Sequence, residues 1–332
     1  MARWLLIETF GPVPSEPTVI GVGNSTRNMV PLRTVLRGQS LSTIEAAVTR
    51  VRGTGERIDA IDGGRRLIAE PLSTFAGDIH GVYAWTGAQR DDVPERTPAG
   101  AWQFNLTTDK IAGSDDLLDL YGVPPEERRS ERNTAEAFGR LITNADESAA
   151  LALIVQAEAG SEHRATWTVR RDDGQLRAAH FSCRAIAEAN GQGALEVVLR
   201  GITQDIGPAA TTPSAPPPVI LAQQVLAGLA EPGTHRAIIN LRTLRLIRWM
   251  TGDDPAPGIA WKNDPDDPIA HWIHPDDLPL ANAVTTSLVR GKASVVLRFR
   301  TTDRGWRQVP VTAHLVLLDS NTTAALLTLH DS

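Results

Sequence analysis

The residues able to do chemistry are few and scattered. Cys183 is the single cysteine of the chain, so no intramolecular disulfide and no cysteine-based zinc cluster can form. It alternates in phase with Phe181 and Ala185. No Lys or Arg pattern marks it as an activated thiolate, and it reads as a small buried hydrophobe. His163 and His180 fall on neighbouring strand-like segments, where they could meet inside a pocket as haem or metal ligands. His271 and His274 are close in sequence, but no HExxH or similar metal spacing occurs. The histidines therefore read as exposed or hydrogen-bonded groups, and no metal site is expected. There is no GxSxG elbow and no glycine-rich kinase loop. No nucleophile, base and orienter are assembled, so no catalytic residue is named and the chain is expected not to be an enzyme.

Two loops invite ligand readings. Gly21-Val22-Gly23-Asn24-Ser25-Thr26 lacks the Lys and spacing of a P-loop and the third Gly of a dinucleotide fingerprint. It reads as a turn and the cap of a following helix. Asp253, Asp254, Asp264, Asp266, Asp267, Asp276 and Asp277 supply oxygens that calcium or magnesium would favour. The stretch after Asn263 has prolines and no Gly where an EF-hand turns sharply, so a solvated loop is expected. In His274-Pro275-Asp276-Asp277, proline and paired acids suit the first turn of a helix.

Aromatic side chains offer the remaining chemistry. Trp102, Phe104, Trp167, His180 and Phe181 are the candidates for lining a small-molecule pocket in the middle of the chain. Trp249, Trp261, Trp272 and Trp306 could do so later on. Aromatics on a sheet face usually serve as core or interface.

The elements that must position these residues follow from period and punctuation. At 332 residues two or three domains are expected. The boundary from Gly207 to Pro218, GPAATTPSAPPP, is a Pro/Ala/Thr linker. A second boundary lies near Asp91 to Gly100. The expected domains are 1–95, 96–207 and 219–332, with 208–218 as the linker. The first reads strand (Trp4–Thr9), helix (Asn24–Leu36), helix (Thr43–Val51, ended by Gly53), then strands Arg66–Leu72 and Ile79–Trp85. The second reads strand (Ala101–Leu106), short helices at Asp115–Tyr121 and Thr134–Ile142, a longer helix Ala145–Ala159, and strands His163–Arg171, Leu176–Ile186 and Leu195–Ile202. Asp173-Gly174 is the turn of a hairpin. That order is an α+β fold, a five-stranded antiparallel sheet with helices on one face.

The third segment repeats the second. Asn144 aligned with His274 gives an offset of 130 residues that runs without a gap to Arg177 opposite Arg307. Asp146 meets Asp276, Arg170 meets Arg300 and Asp173 meets Asp303. Trp167 and Val169 meet Leu297 and Phe299, which keeps the apolar face in phase. A one-residue slip would turn that face outward.

Three short motifs carry a family resemblance. They are Ala101-Trp102-Gln103-Phe104 as a first strand, Thr143-Asn144-Ala145-Asp146-Glu147 at the start of a long helix, and Gly201-Ile202-Thr203-Gln204-Asp205-Ile206 as a last strand with a Gly-x-x-x-Asp-Ile ending. Segment 100–206 resembles a PAS domain, and Ile273-His274-Pro275-Asp276-Asp277 is similar to the start of the long PAS helix. The whole chain resembles actinobacterial sensor-only proteins with an N-terminal GAF-like domain and two divergent PAS domains. The resemblance implies three sensor-type domains, each an antiparallel sheet with helices on one side. It also implies signal integration or scaffolding rather than catalysis. No ligand residues carry over, and no cofactor is named.

Charge and hydropathy limit the partners. The net charge is −6, and a general nucleic-acid binder needs a basic surplus on one face. No stretch reaches about 18 apolar residues, and the N-terminus lacks the apolar core of a signal peptide. A cytoplasmic protein with no membrane insertion is expected. Its partner would be an unidentified signalling protein, with a small-molecule ligand as a further possibility. A protein–protein adaptor with filled cores and no small ligand is the alternative, and an uncharacterised enzyme using a pocket in one module stands behind it.

Overall fold

The computed structural model describes residues 3–11, 16–142, 146–215, 228, 230–250, 256–262, 271–288 and 291–331. The chain divides into two compact units, Met1–Ser130 with Glu158–Pro216, and Glu131–Ala157 with Pro217–Ser332. The folds are α+β, built on three antiparallel sheets.

The first unit opens with β1 (Leu5–Glu8), β2 (Thr18–Val22) and β3 (Ser25–Pro31), then helices α1 (Leu32–Val35) and α2 (Gly38–Thr54), then β4 (Ile58–Asp62), β5 (Arg65–Ser73) and β6 (Ile79–Ala88). The strands form one sheet in the order β3-β2-β1-β6-β5-β4. Ile44, Val48 and Val51 recur at helical spacing on α2 and pack on Leu5, Ile7, Val82 and Ala84 of one sheet face. The helix runs past Gly53 and ends at Gly55, whose left-handed backbone returns its N–H to the Val51 carbonyl.

The helix expected over Asn24–Leu36 is a correction. Most of that segment is β3, paired with β2 across a Gly23-Asn24 turn. Met29, Val30 and Leu32 mimic helical spacing. The strand's alternation is broken by an irregularity and by the left-handed backbone of Met29.

The second sheet of this unit follows with β7 (Ala99–Asn105), β8 (Lys110–Ala112) and α3 (Asp115–Tyr121). The Ser114 hydroxyl caps α3 by accepting from the Leu117 N–H, and Gly122 ends it in the left-handed region. β9 (Glu131–Arg132), α4 (Thr134–Phe138) and α5 (Glu147–Val155) belong to the second unit. The chain then returns with β10 (Glu162–Arg170), β11 (Leu176–Ala189) and β12 (Leu195–Pro208). These strands lie in the order β10-β11-β12-β7-β8. The last strand continues into the expected linker as far as Pro208, and Ala209–Thr211 form a 3-10 turn. Residues 216–218 of that linker lie outside the described residues.

In the second unit a capping box of Asn133 and Glu136 starts α4. The C-terminal strands are β13 (Thr234–Ile239), β14 (Leu246–Trp249), β15 (Lys292–Arg300), β16 (Trp306–Leu317) and β17 (Thr323–His330), with α6 (Leu278–Ser287) before β15. The sheet order is β14-β13-β17-β16-β15. Leu297, Phe299, Val309, Val311, Leu327 and Leu329 form its core with Trp272 and Ala281.

The repeat has one register. β10 and β15 are offset by 130 residues at both ends, and β11 and β16 begin at the same offset. Thr166 pairs with His180 and Val296 with Pro310, the same rung in each copy. The turns match too. In one, Gly174 donates to the Arg171 carbonyl; in the other, Arg304 donates to the Thr301 carbonyl. Both residues are left-handed, with φ of 83° at Gly174 and 67° at Arg304. A side chain there costs about 1 kcal/mol. Gly174→Ala is therefore expected to destabilise the first unit by about that amount, whereas Arg304→Gly leaves the second unit unchanged or slightly stabilised. Urea unfolding of each variant measures both.

Candidate functional site

The face of the second sheet that carries Ala99, Ala101 and Ile202 packs on Trp4, Leu6, Phe10, Ile20, Met29, Tyr83 and Trp85 of the first sheet. This seam lies within the first unit. Two glycines let the sheets approach. A side chain added at Gly81 would sit 2.7 Å from Ile202 Cδ1 and 3.0 Å from the Ile7 carbonyl, and one at Gly21 would sit 2.6 Å from Gln204 Oε1. Gln204 Nε2 instead donates to the Ile20 carbonyl at 3.1 Å.

The Gly-x-x-x-Asp-Ile ending now has a physical reading. Gly201 leaves space for the Trp102 ring, which would meet a Cβ there at 2.2 Å. Trp102 Nε1 donates to Thr203 Oγ1 at 3.0 Å. Ile202 and Gln204 point the other way, into the seam. Asp205 accepts a forked pair from Arg177, with Nε and Nη2 at 3.0 and 2.9 Å, beside the irregularity in β11–β12 pairing.

Charged groups key the seam. Glu8 is buried. It accepts from the Phe10 N–H at 2.8 Å and from Thr18 Oγ1 at 2.7 Å, and lies 3.5 Å from Arg184. Arg184 is also paired with Glu162, and Arg200 with Glu188. Arg164 Nη1 donates to the Asn28 carbonyl at 3.1 Å. Burial lowers the Arg52 pKa, Glu8 opposes that shift, and Arg200 adds to it. None of Glu8, Arg52, His80, Arg184 or Arg200 stood out in the sequence. Their partners come from distant segments, and only Glu8 within an apolar strand is a local signal.

His80 is the extra residue of a bulge. Leu72 faces Gly81 and Ser73 faces Ile79, so His80 has no partner rung on β5. Its Nδ1 lies 3.4 Å from the Gly201 carbonyl across the seam, and its ring meets Phe10 edge-on. Burial first, then Arg200, pushes its pKa down to about 4.

The pocket candidates divide between two faces. Trp102 stands opposite Gly201, Phe104 opposite Leu199, Phe181 opposite Thr203 and Trp167 opposite Ala179, which puts all four on one face. His180 is on the other, hydrogen-bonded through Nδ1 to Thr166 Oγ1 at 3.0 Å, and burial and Arg164 push its pKa down to about 4. Period-2 alternation separates it from Phe181. His163 stands opposite Cys183, on the face away from His180, so the two histidines do not meet. Cys183 is buried and its thiol is pushed up to about 12.

In the second unit, Trp249 makes edge-on contacts with Trp261 and Trp272, and Trp272 with Phe299. His274 meets Trp306. Asp276 and Asp277 lie in the first turn before α6, as expected. Asp253, Asp254, Asp264, Asp266 and Asp267 lie outside the described residues. Arg298 forks onto Asp277, Nη2 to Oδ1 at 2.7 Å, and its N–H bonds Oδ2 at 2.8 Å. This holds the Asp277 carboxyl down to about 2. Its contribution is present above about pH 4 and is lost as the pH falls toward 2. Asp277→Asn is expected to cost the second unit about 1 kcal/mol at pH 7 and to flatten its acid-unfolding curve over that range.

Among the described residues no group of three or more His, Cys, Asp or Glu could hold a metal ion, and no helix is long and apolar enough to cross a membrane. Sequence models of one family match the chain in three parts. Rv3651-like, N-terminal, matches residues 3–95; Rv3651-like, middle domain, matches 98–205; and Rv3651-like, C-terminal domain, matches 219–331. An uncharacterised protein from Mycobacterium tuberculosis of known crystal structure is similar at 28% identity and a TM-score of 0.84, over 99% of this chain and 96% of that one. A sensory box histidine kinase/response regulator from Burkholderia thailandensis matches at 21% identity over 33% of this chain and 79% of its own, with a TM-score of 0.25. The N-terminal domain of a diguanylate cyclase with PAS/PAC sensor from Marinobacter aquaeolei matches at 21% over 33% and 95%, with a TM-score of 0.26. Scores that low carry no argument. No curated protein matches the chain.

Proposed function

The chain belongs to the Rv3651-like family of three-domain proteins, and from that premise we propose that it is a non-catalytic sensor or scaffold, GAF-like and PAS-like in its modules. It integrates signals in the cytoplasm and passes them to a separate signalling protein. The observation that carries this reading is the seam of the first unit. Two sheets are spent on each other, glycine against side chain, with the buried Glu8 facing Arg184 across the join. A join of that kind supports carrying a change of geometry from one sheet to the other.

The titratable groups agree with it. His80 and His180 are buried and neutral at pH 7, and Cys183 is a thiol. A general base poised near neutrality or a thiolate would be shifted in the opposite sense. The adaptor version, with filled cores and no small ligand, is favoured for the middle sheet by Trp167 and Phe104, both buried.

Native mass spectrometry with an absorbance scan of the purified chain tests the reading. The mass of the bare polypeptide and no visible band are expected for the adaptor version. A stoichiometric added mass would instead make it a small-ligand sensor, and turnover of such a molecule would overturn the non-catalytic reading altogether.

A further inference from the structure

The seam of the first unit holds two buried histidines, one from each sheet, and around His80 burial and Arg200 disfavour a proton more than Asp78 and the Gly201 carbonyl favour it. His80 comes from the first sheet. A bulge in β6 turns it across the seam toward Gly201, and its own carbonyl is tied to the Thr9 N–H. The ring is fully buried. The charged groups about it are Arg200 on β12, paired with Glu188 of β11; Glu8 on β1, held by Arg184 of β11; Arg52 on α2, which lies near both Glu8 and Arg200; and Asp78 in the turn before β6. Each nearby carboxylate except Asp78 is engaged by a guanidinium or by N–H and O–H donors. His180 comes from the second sheet, with Arg164 beside it and Gln204 opposite, and its Nε2 is buried with no hydrogen-bond partner.

A proton added to either ring makes a cation in a low-dielectric join that already holds the arginines. No carboxylate stands within ion-pair reach of either ring among the described ion pairs. Separating the two sheets would return the rings to water, while the strands of each sheet keep their own hydrogen bonds.

We propose that the seam is an acid-released joint, in which protonation of His80, assisted by His180, undocks the first sheet from the second while both stay folded. The docked form holds His80 neutral down to about pH 4, against an ordinary value of 6.5. The undocked form titrates near the ordinary value. Docking strength is therefore full above about pH 6.5 and falls as the pH drops toward 4. The joint is a property of this chain alone and stands whether or not a partner reads it.

Hydroxyl-radical footprinting of the full chain, followed by mass spectrometry, tests this from pH 7.5 to 4. Met29 and Trp85 report on the seam, and Trp272 and Phe299 report on the second unit. A rise of about fivefold or more at the seam reporters is expected, with far-UV circular dichroism unchanged. The rise should be absent or displaced to lower pH in His80→Gln, which cannot take the proton. Should that variant fail to fold, the imidazole titration of His80 read by NMR in the unaltered chain must share the midpoint of Met29 labelling. Constant labelling down to pH 4, loss of dichroism at the same midpoint, or an unchanged rise in a folded His80→Gln would each overturn the proposal. A bound ligand or an activity found in the earlier test would leave this result untouched, so the two readings fail separately.

Discussion

Gly81→Val is expected to destabilise the first unit by about 3 kcal/mol, and Gly81→Ala by about 1 kcal/mol. The first added carbon meets Ile202 Cδ1 at 2.7 Å and the Ile7 carbonyl at 3.0 Å. The isoleucine tip can turn aside, but the carbonyl belongs to β1 and is fixed by β6 and β2 on either side. One carbon is therefore tolerated at a cost, and two more are not. Urea unfolding followed at the seam tryptophans measures the loss. The second unit serves as the internal control, since the neighbours that a side chain at Gly81 would meet, Ile202, Ile7 and Leu6, all belong to the first. A valine variant as stable as the parent would mean that the two sheets do not meet as described.

Arg248→Ala is expected to cost the second unit about 3–5 kcal/mol. The Arg248 side chain is 9% exposed and its partner Glu147 12%, with Nε 3.1 Å from Oε1. Arg248 Nη2 also donates to the Leu141 carbonyl at 2.9 Å. Burial lowers the Arg248 pKa and Glu147 opposes that shift. The alanine variant strands a buried carboxylate, which is why its cost exceeds any benefit of the pair itself. Arg248→Met combined with Glu147→Leu removes both charges and keeps the volume, and is expected within about 1 kcal/mol of the parent. A double-mutant cycle on thermal unfolding separates the two terms. Equal losses in the single and double variants would show that packing, not charge, decides this position.

Much of this architecture is legible in the sequence. Ser114 and Gly122 bracket the short helix α3, and Asp173-Gly174 sets the hairpin whose register extends to its repeat. These are local signals, complete within a few residues. The stretch Asn24–Leu36 misled because Met29, Val30 and Leu32 fall at helical spacing, while the irregular pairing with β2 and the left-handed Met29 hide the strand's alternation. The pocket candidates were half legible. Alternation alone assigns Trp102, Phe104, Trp167 and Phe181 to one face, and it equally excludes His180 from their company. The seam was not legible. Nothing near Gly81 announces Ile202, and Glu8 and Arg184 meet only because two sheets with separate sequences are laid together. Long-range contacts of this kind leave no periodic trace.

Pro310 gives the repeat one more meaning. Two hairpins in one register, within one chain, are a hazard during folding, because each strand could pair with the other copy's partner and exchange. The rung that pairs Thr166 with His180 in the first hairpin pairs Val296 with Pro310 in the second. A proline offers no N–H to a neighbouring strand, and the described pairing of β16 with β17 runs only from Val311 to Leu317. His180, by contrast, continues the ladder to Gln204. The two copies thus share a register while offering different edges to a third strand, an N–H-bearing one at His180 and a blunted one at Pro310.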